Sequence, residues 1–177
     1  MVFAYVRARR RGFSLIEVMA VITIVGIISA LAYAGVARYL AHSKTPEATS
    51  TLAAFENGSR VRFAAETDSG GMGTGPFVHQ FCPSATTPMP AAVPKAARVA
   101  GVWTDTTWSC LKFTMSAPQF YQYDYQSTGS GTAAVYNAYA YGDLNGNSVN
   151  STFLLQGIGG SNGEAQRKGM SVVNEDE

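Results

Sequence analysis

RARRRGFSLIEVMAVITIVGIISALAYAG, residues 7–35, decides how the rest of the chain is read. Arg7, Arg9, Arg10 and Arg11 stand before Gly12, and an apolar run begins at once after it, broken near its start by Glu17. From Val18 to Val36 there are 19 consecutive residues without a charge. As a helix, such a run is roughly 28 Å long at a rise of about 1.5 Å per residue, which matches the hydrocarbon core of a bilayer. The arginines on its N-terminal side are expected to stay in the cytoplasm, so that the chain after about Leu40 lies outside. The same stretch also has the parts of an ordinary signal peptide, with Ala30-Leu31-Ala32 as a small-x-small cleavage site and Tyr33 as the new start. Glu17 argues against that alternative. A carboxylate within the apolar run costs about 2.5 to 3.5 kcal/mol on insertion, and a disposable peptide has no use for it.

The bulk numbers bound the remainder. With 177 residues, 46% of them hydrophobic, the chain holds one modest globular unit plus one extended segment. Only 14% of residues are charged, while glycine (18), tyrosine (9) and phenylalanine (9) are plentiful, a balance suited to an extracellular or assembled protein. The formal charge of +1 is misleading, because setting aside the four arginines before Gly12 leaves 9 basic against 12 acidic residues, or −3. No basic surface for nucleic acid is visible in that balance. Cys82 and Cys110 form an even pair behind an export-like segment, which predicts a disulfide and an oxidising compartment.

Gly12-Phe13-Ser14-Leu15-Ile16-Glu17, after a short basic leader and before an apolar helix, resembles the N-terminus of type IV pilins and of the related pseudopilins of type II secretion. The resemblance covers residues 7 to about 44 and continues weakly through Ser43-Lys44-Thr45-Pro46-Glu47-Ala48. It implies that a membrane prepilin peptidase/methyltransferase cuts after Gly12 and methylates the new N-terminus at Phe13. It also implies storage in the inner membrane with the C-terminal part periplasmic. Assembly with other copies of itself, or with other pilins, into an extracellular filament or a periplasmic pseudopilus would follow. Glu17 then has a physical task, since it can neutralise the cationic amine of a neighbouring Phe13 in a low-dielectric fibre core and so set axial register. The competing reading of Glu17 is a side chain that snorkels to the headgroups. Many pilins carry proline where this chain has Ala34, next to Gly35, so a kink there is not implied.

Beyond the apolar run, Leu40, Ala48, Leu52, Phe55 and Phe63 are candidate buried positions among charged residues, which predicts an amphipathic helix to about Ala65. Pro46 is its expected weak point and Gly58 a milder one. The fold class expected is therefore α+β and pilin-like, a long N-terminal helix packed on a C-terminal antiparallel sheet. Its parts are a leader (1–12), a transmembrane or filament-core helix (13–40), an amphipathic helix (41–65), a Gly/Pro-rich connecting loop (66–97) and a sheet head with a polar tail (98–177).

Within the head, strands are expected at Arg98–Thr104, Trp108–Met115, Phe120–Ser127, Ala133–Tyr141 and Thr152–Ile158, separated by glycine- and asparagine-rich turns. Tyr121, Tyr123 and Tyr125 share one face by period two, and Val135, Asn137, Tyr139 and Tyr141 share one face of the next strand. Packing under the amphipathic helix is the preferred reading of these tyrosines, against an exposed adhesive surface. The acidic end, with Val172-Val173 as a short edge strand, reads as a solvated tail.

No enzyme, cofactor or metal constellation is evident. The glycines at 70, 71, 73 and 75 lack a following Lys-Ser/Thr pair. The Asp143-x-Asn145-x-Asn147 alternation has one carboxylate and lacks a closing acid, so an Asx turn is preferred over a calcium loop. Ser84 to Thr87, between prolines, offers glycosylation hydroxyls only by composition. His42 and His79 have no evident catalytic partners. The expected function is a structural subunit of a type IV pilus or pilus-like filament. The alternatives are a minor or tip pilin, a secretion pseudopilin acting as a priming or binding module, and a soluble protein released by signal-peptide cleavage. Motility, adhesion, DNA uptake and secretion are roles that the resemblance brings with it.

Overall fold

In a computed structural model, residues 12–68 and 75–175 are described, and the chain divides after Tyr39 into two compact units. The basic leader with its four arginines, most of the glycine run after Asp68, and Asp176-Glu177 lie outside the described residues. The first unit is carried by helix α1, Leu15–His42, whose 19 residues Leu15–Tyr33 are long and apolar enough to cross a membrane. Its described side chains from Leu15 to Leu40 are exposed, including Ile22, Val25 and Ile28. Leu40, expected to be buried, is itself exposed at 53%.

A single helix to Ala65 was the expectation, but the chain forms two, with α2 at Thr45–Ala64. Pro46 supplies the reason. Its ring has no N–H and clashes with the carbonyl four residues back, which belongs to His42, the last residue of α1. In the first turn of α2, by contrast, the missing donor costs nothing. Between the helices the Lys44 amide donates to Ala41 O (2.9 Å) and the Ser43 hydroxyl to Leu40 O (2.7 Å), so the break satisfies its own backbone. The joint is tied to the head through Glu47 Oε1, which accepts the Phe120 amide at 2.7 Å. Lys44 Nζ and the Arg98 guanidinium each lie 4.6 Å from the centre of the Phe120 ring.

The head is a four-stranded antiparallel sheet in the order β3 (Tyr121–Thr128), β4 (Val135–Gly142), β5 (Ser151–Gly159), β6 (Ala165–Val173). A separate two-stranded pairing joins β1 (Thr67–Asp68) to β2 (Phe77–Val78). Helix α2 buries Ala48, Thr51, Leu52, Phe55, Ser59 and Phe63, spaced by one to four residues on one helical face. Phe55 meets Tyr123 edge-on (5.8 Å) and Phe63 stacks on Phe81 (4.6 Å), which in turn meets Tyr136 (4.8 Å). The preferred packing role for Tyr121, Tyr123 and Tyr125 holds, since all three are fully buried. Burial pushes the Tyr121 hydroxyl up to about 12 and those of Tyr123 and Tyr125 higher still. Tyr125 shares a 2.8 Å hydrogen bond with Ser59 on α2. On the opposite face Tyr139 and Tyr141 are half-buried and stack on each other at 5.6 Å.

Two of these rings need glycine across the ladder. Tyr121 is opposite Gly142 and Tyr136 opposite Gly157, and a Cβ at either glycine would run into the ring facing it. Each ring thus lies over the bare backbone of its neighbour strand, which restores the contact area the glycine lacks.

Several expectations for the head fail in instructive ways. Arg98–Thr104 is not a strand, because only Val99 pairs, exchanging both amide bonds with Gln119 at 2.9 Å. Trp108–Met115 is not one either. Thr106–Cys110 forms the short helix α3, and Trp108 and Leu111, three apart, are buried beside Phe55 and Gly58 of α2. The polar tail is instead the nine-residue edge strand β6, with a bulge against Gln156/Gly157. Exposed Arg167 and Lys168 suit an edge, since charges there oppose pairing with other chains. Arg167 also reaches Glu56 of α2 at 3.6 Å.

The Pro-rich segment is a strap along the other edge, β3. Ala85 and Met89 donate to Tyr125 O and Tyr123 O (both 2.8 Å), and the Ser84 hydroxyl accepts the Ser127 amide at 2.9 Å. The Cys82–Cys110 disulfide pins this strap to α3, 28 residues on. Asp105 adds a second tie, accepting the Thr86 hydroxyl (2.7 Å) and amide (2.9 Å), and these bonds hold its carboxyl down at about 2. Of the hydroxyls from Ser84 to Thr87 considered for glycosylation, those of Ser84 and Thr86 are engaged in holding the strap. The pairing Tyr136 over Gly157 carries a checkable cost. Gly157→Ala should destabilise the head by about 1 to 3 kcal/mol and lower its thermal midpoint by roughly 3 to 10 °C in circular dichroism. An unchanged midpoint would mean that the ring has room to move.

Candidate functional site

The residues singled out at the N-terminus fall at the start of α1. Ser14 immediately precedes the helix, and its carbonyl accepts the amides of Glu17 (3.1 Å) and Val18 (3.2 Å). The Ser14 hydroxyl also accepts the Glu17 amide at 3.3 Å. Ser14-Leu15-Ile16-Glu17 is therefore a capping-box sequence, with serine at the N-cap and glutamate at the third helical position. Ser-x-x-Glu before an apolar run is the standard form of this helix-start signal in a sequence.

The cap gives Glu17 a local reason for its place. A negative charge in the first turn of a helix interacts favourably with the unpaired amides there. It also alters the geometry expected for Phe13. The helix begins at Leu15, so Phe13 is outside it and not on the helical ladder one turn below Glu17. Phe13 is 81% exposed, with its side chain in reach of a partner.

Gly12 is informative through its surroundings. Among the described residues, nothing lies within 4 Å of a Cβ added there. Among the described residues, then, no packing contact calls for glycine at this position. Further along α1 the polar group Thr23 is neutralised internally, its hydroxyl donating to Met19 O at 2.8 Å, as an apolar environment requires.

Residues 7–33 match the prokaryotic N-terminal methylation motif. This is the type IV pilin and pseudopilin signature, and it contains Gly12, Phe13 and Glu17 together with the apolar part of α1 through Tyr33. No curated protein and no solved structure matches the chain. The α+β layout, an apolar N-terminal helix followed by a second helix and a four-stranded antiparallel sheet, is pilin-like.

The remaining candidate residues have structural work. Asp143 is 1% exposed and accepts the amides of Gly146 (2.7 Å) and Ser148 (3.0 Å), while Asn145 and Asn147 each accept the amide two residues on, from Asn147 (2.9 Å) and Val149 (2.6 Å), the bonding of Asx turns. His79 donates from Nδ1 to Phe63 O at 2.8 Å, satisfying a carbonyl in the last turn of α2. His42 Nδ1 is 3.8 Å from Glu175 Oε1. Among the described residues no group of three or more His, Cys, Asp and Glu side chains is placed to hold a metal.

The open surroundings of Gly12 separate folding from processing. Gly12→Ser should leave the head's thermal midpoint unchanged while the chain accumulates at precursor mass, as read by immunoblot and intact mass. Normal trimming of this variant would remove the steric argument for Gly12.

Proposed function

We propose that the chain is a structural subunit of a type IV pilus or pilus-like filament. It is stored in the inner membrane with its head in the periplasm, cut after Gly12 by a prepilin peptidase, methylated at Phe13 and assembled through α1. The observation that carries this reading is the methylation motif heading a helix whose apolar side chains are exposed on every side. Exposed apolar surface of that extent requires lipid or other apolar helices around it. Moving from one to the other replaces lipid contacts with helix–helix packing, in which small residues such as Gly26, Ala30 and Ala32 allow close approach.

Glu17 couples this packing to register. Cleavage leaves a cationic amine at Phe13, and in a bundle of helices that amine needs an anion at the same depth. Glu17 of a neighbouring copy meets the need, and a subunit displaced along the axis would leave both charges unpaired. Neutralising this pair therefore selects one stagger from the many that an apolar surface alone permits. In this reading the chain has no catalytic role, and its histidines and carboxylates support the fold, as the bonds of His79, Asp105 and Asp143 illustrate.

Glu17→Ala separates register from insertion. The variant should insert and be cut normally, yet give about tenfold or more fewer sheared filaments, because an unpaired amine in the core costs more than about 1.4 kcal/mol per subunit. Wild-type filament yield from Glu17→Ala would remove Glu17 from assembly.

A further inference from the structure

We infer that a polar cleft on the sheet face turned away from α2, beside Tyr139 and Tyr141, binds an uncharged carbohydrate chain. The inference concerns the head alone and goes beyond the assembly reading above. The cleft lies where the strap meets β3 and β4 and has a volume of about 330 Å³, within the range of roughly 300 to 1,000 Å³ usual for small-molecule sites. Ser84, Gln126, Ser127, Thr128 and Asn137 give it a polar lining.

Its amides hold one another in place. Register puts Gln126 of β3, Asn137 of β4 and Gln156 of β5 in one row across the sheet. Gln156 Nε2 donates to Asn137 Oδ1 at 2.9 Å, and Gln126 Nε2 donates to Asp124 Oδ2 at 2.8 Å. Asp124 is 8% exposed and its Oδ1 accepts the Tyr125 amide at 2.8 Å, so the carboxylate that orients Gln126 is itself fixed. Each amide thus uses one end within this network and presents the other. Gln126 and Gln156 present a carbonyl oxygen, and Asn137 between them presents its N–H donors. A hydroxyl both donates and accepts, so the hydroxyls of a sugar can answer acceptor, donor and acceptor in turn. Side chains that are already oriented lose little freedom on binding.

The rings beside the row suit the other half of a sugar. Tyr139 follows Asn137 on the same face of β4 and lies parallel to Tyr141, with centroids 5.6 Å apart and planes at 9°, both rings half-buried. The face of an aromatic ring is electron-rich and attracts the C–H side of a pyranose. Charge then selects the class of ligand. β3, β4 and β5 together carry one charged side chain, that of Asp124. An anionic chain, such as a nucleic acid or a uronate polymer, meets that carboxylate and no cation in these strands, whereas an uncharged chain is not repelled. A protein partner would need an apolar pocket for its anchoring side chain, and this cleft is lined mostly by hydroxyls and amides.

The test is calorimetric titration of the full chain, purified in detergent, with cellohexaose, maltohexaose and chitohexaose, and with hexagalacturonate as the anionic counterpart. At least one uncharged hexasaccharide should bind with a dissociation constant below about 1 mM, and hexagalacturonate should not bind. Gln126→Leu, Asn137→Leu and Tyr139→Leu should each weaken binding about tenfold, whereas Tyr139→Phe keeps the ring and most of the affinity. The head's thermal midpoint, read for each variant, separates a lost site from a lost fold, and Gln126 is exposed, so its replacement should leave the midpoint unchanged. Phe77→Ala removes an exposed ring on β2 and should leave binding as it was. No binding of any uncharged hexasaccharide, equal binding of hexagalacturonate, or full affinity in folded Gln126→Leu and Tyr139→Leu chains would overturn the site. Because the chain is titrated unassembled, such a failure leaves the assembly reading standing.

Discussion

The apolar side chains in the membrane-length part of α1 are exposed, and most of the molecule can be understood from that constraint. From Leu15 to Tyr33 the helix has no polar face to turn toward water. It needs lipid or other helices, and the single charge near its start, Glu17, limits where and how it can lie. The capping bonds at Ser14 are made by the Glu17 amide, and they place its side chain in the first turn of α1, where unpaired amides favour negative charge. In the proposed filament, where it would also match the cation of a neighbour, such a residue could be kept in apolar surroundings at a cost of a few kcal/mol.

The head follows a different logic, that of large rings and small gaps. Three tyrosines of β3 and Tyr136 of β4 fill the space under α2, and glycines of the adjacent strands make room for two of them. Aromatic residues bury large areas with few rotatable bonds, so a thin two-layer domain gains much from them. The strap from Cys82 to Val99 completes the head by satisfying the β3 edge, and the disulfide and Asp105 hold it in place. Both sheet edges are therefore managed, one by a covering segment and the other by exposed charges.

How much of this was legible in the sequence varied with the kind of signal. The apolar run, the motif at Gly12–Glu17, the period-two tyrosines and the cysteine pair each have one dominant physical meaning, and the α+β layout followed from them. The helix break needed a finer use of the same facts, because Pro46 acts on the carbonyl of His42 and not at its own position. The region from Arg98 to Met115 misled because Val, Trp, Thr and Phe favour strands locally. What decided the outcome there was burial of Trp108 and Leu111 on α2, a tertiary contact that no window of sequence contains. β6 was hidden for the opposite reason. An edge strand needs only backbone pairing along one side, so Ala165–Val173 can be polar and still belong to the sheet. At the site itself, the capping box is displayed openly in the sequence as Ser14-x-x-Glu17 before an apolar run, a local signal distinct from the pairing and snorkelling readings of Glu17.

The account turns on what happens at Gly12-Phe13 before α1 finds its partners. Intact-mass and N-terminal peptide spectrometry of the chain recovered from the sheared surface fraction reads this directly. The account predicts a mature chain that begins at Phe13 and carries one methyl group on its amine. A chain that begins at Tyr33, or one that keeps the arginines before Gly12, would contradict it.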